Sequence, residues 1–219
     1  VCPPAIFLSD IAREFKKNPP ASRLTLGAQN CSWEKSGPFT GETSPSMLRA
    51  KNARWVILGH SERRALGESD ALIQKKATSA LKAGLSVVLC VGEETRDEHG
   101  EYLPVLEAQL KKTLPDLPRK FLDRVVIAYE PLWAISTHAT GAATPEEVFS
   151  MAIFIRKVLT EAVGKDFAMK VPILYGGSAD ALNAAPMITH GGVQGLLVGR
   201  ESLNPKSFPA LLDAVAKAK

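Results

Sequence analysis

A chain of 219 residues, 45% hydrophobic and 23% charged, has the composition of a folded globular protein with enough apolar residues for one sizeable core. Its net charge of +4 and pI near 9.0 come from basic residues scattered among acids, without interleaved aromatics, which argues against a nucleic-acid partner and fits a protein that handles a small anion. Three cysteines, Cys2, Cys31 and Cys90, lack metal-ligand spacing and point to thiols in a reducing compartment. No signal peptide opens the chain and no apolar run reaches membrane-spanning length, so the expected location is the cytoplasm, with no membrane partner.

Val1-Cys2-Pro3-Pro4 reads as the end of a strand feeding a helix near residues 10–17. Short β-branched runs then recur at 24–28, 55–58, 87–91, 125–129, 173–175 and 196–198. Most lack polar alternation, which suits strands of a parallel sheet covered on both faces. Between them lie helical stretches with recognisable ends. Ser69-Asp70 precedes a helix over 71–83 that stops at Gly84. Thr144-Pro145-Glu146-Glu147 supplies an N-cap, a first-turn proline and two acids for a helix over 145–163, closed by Gly164. No linker or composition shift divides the chain, so residues 1–219 are expected to form one domain. Such βα repeats can build an open doubly wound sheet or a closed barrel. No Gly-x-Gly-x-x-Gly follows the first strand, and the unusual residues stand at the carboxyl ends of many strands, which favours the barrel.

His60 follows the strand 55–58 and opens a helical turn, where backbone N–H groups disfavour an imidazolium. A neutral imidazole there can donate to a carbonyl oxygen; the alternative is a capping histidine without a chemical role. Glu130 ends the run Val125-Val126-Ile127-Ala128-Tyr129 and is locked by Pro131, which makes it a candidate general base or, alternatively, a salt-bridged strand-end acid. Residues 135–143, rich in Ser, Thr, Gly and Ala, follow the rigid Pro131-Leu132-Trp133 element and could form a lid. Two glycine corners, Tyr175-Gly176-Gly177-Ser178 and Gly199-Arg200-Glu201-Ser202, suit an anion, because glycine lets backbone N–H groups approach it closely.

Taken together, these residues resemble the triosephosphate isomerase family. Gly59-His60-Ser61-Glu62-Arg63-Arg64 is similar to its histidine motif, and Ala128-Tyr129-Glu130-Pro131-Leu132-Trp133-Ala134 to its catalytic-base signature. Tyr175-Gly176-Gly177-Ser178 and Leu197-Val198-Gly199 resemble its phosphate loops, and Phe39-Thr40-Gly41-Glu42 the tip of its dimer loop. The resemblance runs from Val1 to about Val215. It implies an α/β TIM barrel, and interconversion of dihydroxyacetone phosphate and glyceraldehyde 3-phosphate through an enediolate, as in glycolysis and gluconeogenesis. It also implies no cofactor and no metal. Glu130 and His60 would be catalytic, with Ser61 and Glu62 supporting them. Backbone N–H groups of Ser136, Ser178, Gly199 and Arg200 would hold the phosphate. A homodimer is the family's assembly, expected here in weakened or altered form.

Three departures qualify that picture. The family's first strand carries an Asn and a Lys that face the substrate, and nothing in these residues matches it. The expected barrel is therefore truncated at the N-terminus, with the first strand and helix missing and about seven strands remaining. The lid, Ala134-Ile135-Ser136-Thr137-His138-Ala139-Thr140-Gly141-Ala142-Ala143, is about two residues longer than the family pattern. Arg200 stands where the family more often has a second glycine. The expected activity is accordingly weak or absent, and the alternative is a shortened, impaired barrel homologue that folds and binds phosphate.

Overall fold

The computed structural model describes residues 1–20, 24–135 and 142–218. The backbone divides into two compact units, one of Val1–Leu89 with Asp116–Val126 and the other of Cys90–Pro115 with Ile127–Lys219.

The first unit contains α1 (Leu8–Lys17), β1 (Gly27–Ala28), α2 (Pro45–Ala50), β2 (Trp55–Leu58), α3 (Ser61–Ala65), α4 (Asp70–Lys82) and most of β3 (Ser86–Val91). Its strands are parallel, with Gly27 opposite Trp55 and Val56 opposite Val87. The helix expected over 71–83 is α4: the Ser69 hydroxyl accepts the N–H of Leu72, and the chain leaves through Gly84 at φ +87°. Ile73, Ala77, Ala80 and Leu81 recur at helical spacing and are buried.

The strand expected over 24–28 is shorter, Gly27–Ala28, because Leu24 and Thr25 are exposed and lack a covered face. Its ladder nonetheless extends beyond those two residues. The Val1 backbone nitrogen donates to Thr25 O and its carbonyl accepts the Gly27 N–H, each at 2.8 Å. The strand-end reading of Val1 thus survives as paired backbone, without a strand of its own. The loop 31–42 is closed by Ser32 N–H to Thr43 O and braced inside by Trp33 edge-on to Phe39, ring centres 5.7 Å apart. Cys31 is buried at its base, and burial pushes the thiol up to about 12.

The second unit contains α5 (Leu103–Thr113), most of β4 (Val125–Tyr129), α6 (Pro145–Ala162), α7 (Lys165–Lys170), β5 (Ile173–Tyr175), α8 (Ala184–His190), β6 (Gly195–Leu196) and α9 (Ser207–Lys217). These strands are also parallel, with Ala128 opposite Leu174 and Tyr175 opposite Leu196. Every residue of β4 is buried, as its unbroken apolar run requires. β6 is shorter than the run 196–198, although Leu197 N–H still bonds Tyr175 O at 2.8 Å. Helix α6 begins with a full capping box: Thr144 Oγ1 accepts the Glu147 N–H and Glu147 Oε2 accepts the Thr144 N–H. Its buried stripe, Val148, Met151, Ile155, Val158 and Leu159, fills the core of this unit, which also holds the fully buried Cys90. Among the described residues no helix is long and apolar enough to cross a membrane.

Candidate active site

In the first unit, β2 ends at Leu58 and the chain turns through Gly59 into α3. His60 is the N-cap residue, and its Nδ1 accepts the backbone N–H of Glu62 at 3.3 Å. That bond uses the lone pair of Nδ1, as in the tautomer that carries its proton on Nε2. The capping role and the donor role, alternatives in the sequence, are therefore compatible in one side chain. Ser61 opens α3, and the Glu62 carboxylate is exposed, 3.9 Å from Nδ1 and beyond hydrogen-bond range.

Short ion pairs hold α3 from behind. Arg64 donates from Nε to the Gly59 carbonyl and from Nη1 to Asp70, each at 2.7 Å, which fixes the peptide just ahead of His60. Arg63 and Lys76 both reach Oε1 of the buried Glu68 at 2.6 Å, and Lys76 continues to Asn30 Oδ1 at 3.0 Å. Sequence reading missed Glu68 and Lys76, since an acid and a base eight residues apart read as surface charges until their burial is known.

In the second unit, Glu130 directly follows β4 and is 2% exposed. Its N–H donates to Val91 O at 2.8 Å, and two glycines flank it closely. A Cβ on Gly92 would lie 1.8 Å from the Glu130 carbonyl oxygen, and one on Gly176 would lie 3.0 Å from Glu130 Cγ. Neither position has room for a side chain unless Glu130 moves.

The residues on either side of Glu130 are anchored on a second acid. Glu93 Oε1 accepts Tyr129 O–H at 2.8 Å and Trp133 Nε1–H at 2.9 Å. Glu93 is 1% exposed, and burial raises its carboxyl above the ordinary value against those two bonds, which lower it. The guanidinium of Arg96 lies over the Trp133 ring at 5.2 Å. Glu93 was also missed, although Val91-Gly92-Glu93 places an acid behind a buried strand much as β4 places Glu130.

Of the anion corners, Ser178 Oγ donates to Ala134 O at 3.2 Å, which ties that loop to the element after Glu130. The corner does not run straight into a helix: α8 starts only at Ala184, behind a turn built on Asp180 and Asn183. Gly199 stands open, with nothing within 4 Å of an added Cβ, and it leads at once into the short 3-10 turn Arg200–Leu203. Arg200 is exposed. Ser136 and most of the lid lie outside the described residues. His60, Ser61 and Glu62 belong to the first unit; Glu130, Ser178, Gly199 and Arg200 belong to the second. No cluster of metal-ligating side chains occurs among the described residues.

Parallel strands alternating with helices, with polar and glycine residues gathered at strand carboxyl ends, define an α/β protein of the kind that does its chemistry in the loops beyond the strands. A family model for triosephosphate isomerase matches residues 1–215. The triosephosphate isomerase of Carboxydothermus hydrogenoformans is 42% identical over 214 residues, covering 97% of this chain and 83% of the relative. That of Aquifex aeolicus is 41% identical over the same shares, and that of Chloroflexus aurantiacus is 42% identical over 95% and 82%. The chain belongs to the triosephosphate isomerase family.

Proposed function

We propose that the protein interconverts dihydroxyacetone phosphate and glyceraldehyde 3-phosphate by proton transfer, without a cofactor, as a single barrel domain in the cytoplasm. Glu130 takes a proton from the carbon beside the carbonyl, and the electron pair moves into an enediolate. The same carboxyl returns the proton to the neighbouring carbon. His60 donates from Nε2 to the oxygen on which charge develops and recovers the proton from the other oxygen. Ser61 and Glu62 support His60. Backbone N–H groups of Ser136, Ser178, Gly199 and Arg200 hold the phosphate, and the loop 31–42 carries a weakened or altered homodimer contact.

The observation that carries this reading is Glu130 itself, a 2%-exposed side chain at a strand end, flanked by Gly92, which has no room for a side chain, and by Gly176, where one would press on Glu130 Cγ. Weak turnover of these 219 residues assayed by themselves is part of the same proposal, since no match to the family's first-strand lysine is among them and a positioned cation stabilises a developing enediolate. A coupled assay on the purified chain tests both parts. Expected is slow isomerisation that Glu130→Asp and His60→Ala each abolish. Turnover that survives both substitutions overturns the assignment of the base and donor, and turnover within tenfold of the full-length relatives overturns the weakness.

A further inference from the structure

We infer that Gln109 is a positioning residue for the base: by clamping the peptide of Gly92, it sets where Glu130 leaves β4. The inference rests on the role proposed above for Glu130.

Gln109 lies on α5 and is buried. Its Oε1 accepts the Gly92 N–H at 2.9 Å, and its Nε2 donates to the Gly92 carbonyl, also at 2.9 Å. One primary amide thus meets both backbone polar groups of a single residue, as a neighbouring strand would. It does so just where β3 has ended at Val91.

Gly92 cannot shift without moving the base. An added Cβ would lie 1.8 Å from the Glu130 carbonyl oxygen and 2.7 Å from its carbonyl carbon, both of them backbone atoms. On either side, Glu130 N–H bonds Val91 O at 2.8 Å and Leu132 N–H bonds Glu93 O at 3.0 Å. Residues 91 to 93 and 130 to 132 therefore form one stiff piece of backbone, and Gln109 grips its centre from the helix side. A displacement of the order of ~1 Å at a reacting group is enough to cost about 100-fold in rate. An amide that only satisfied two buried backbone groups would matter for stability alone, and the two roles separate experimentally.

The test uses the full chain with Gln109→Met, which keeps length and removes hydrogen bonding, Gly92→Ala, and Leu110→Ala as a fully buried neighbour on the same helix. Steady-state kinetics, pH profiles and amide hydrogen exchange are read for each. Expected for Gln109→Met is a kcat lower by tenfold or more, with KM within twofold and an unmoved pH profile. Exchange should rise at Gly92, Glu130 and Leu132 ahead of Ile127. Gly92→Ala should lower kcat further, while Leu110→Ala loses at least as much thermal stability and keeps its kcat. If Gln109→Met does not fold, Gln109→Glu, which retains the acceptor for the Gly92 N–H, carries the same measurements.

The clamp is overturned by kcat within twofold in the Gln109 variant, by an equal fall in Leu110→Ala, or by exchange rising uniformly through the unit. Wild-type turnover in a Glu130→Gln control overturns the base assignment and with it the role of Gln109. Loss of turnover in that control, with Gln109→Met unaffected, overturns the clamp alone.

Discussion

The Lys76 ammonium lies 2.6 Å from Oε1 of Glu68, and both side chains are shut away from solvent. Glu68 also holds Arg63, whereas among the described residues the other hydrogen-bond partner of Lys76 is the neutral Asn30. Removing the acid therefore strands a buried cation more completely than removing the lysine strands the acid. Glu68→Leu should cost about 3–5 kcal/mol, near the full penalty for breaking a buried pair. Lys76→Met should cost measurably less. Urea unfolding followed by circular dichroism checks the order, and equal losses would show that Arg63 does not compensate Glu68.

Glu93 makes folding sensitive to pH. Its folded carboxyl titrates above the ordinary 4.5, chiefly through burial, so the native state holds a proton that the unfolded state has released. Stability from this group is complete below 4.5 and falls as pH rises from there through the folded value. The slope is at most about 1.4 kcal/mol per pH unit. Glu93→Gln keeps an acceptor for Tyr129 and Trp133 and should remove this slope. Thermal melts of both proteins between acid and neutral pH should diverge, with the variant gaining on the wild type as pH rises.

The capping box at Thr144 fixes the start of the longest helix. Thr144→Ala leaves the Glu147 N–H without its side-chain acceptor and should cost about 1 kcal/mol. Thr144→Ser should recover most of the loss. A melting temperature unchanged in the alanine variant would show that water replaces the hydroxyl without cost.

Phosphate should bind at the two glycine corners of the second unit, because backbone donors need no particular side chain. Inorganic phosphate titrated into labelled protein should shift the amides of Gly177, Ser178 and Gly199 together. Amides that stay fixed up to tens of millimolar would remove these corners from the site.

The fold was legible where local chemistry decides it. Val125-Val126-Ile127-Ala128-Tyr129 reads as a doubly covered strand, and the structure buries all five residues. Thr144-Pro145-Glu146-Glu147 announces a helix start, and both capping bonds form. Boundaries were lost where a partner elsewhere in the chain decides: residues 25–27 bond to Val1, which no run of β-branched residues reveals. The strand-end positions of His60 and Glu130 were readable for the same local reason. Gln109, Glu68 and Lys76 were not, because only tertiary packing turns an ordinary polar residue on a helix into a buried one with a fixed partner.

The two buried thiols give the molecule a chemical stopwatch. Cys31 in the first unit is 2% exposed and, pushed up to about 12, stays protonated at neutral pH, so it resists alkylation while folded. Cys90 is sealed within the second unit. A reagent added to native protein must wait for either region to breathe, and peptide mass maps would time the two openings separately within one sample.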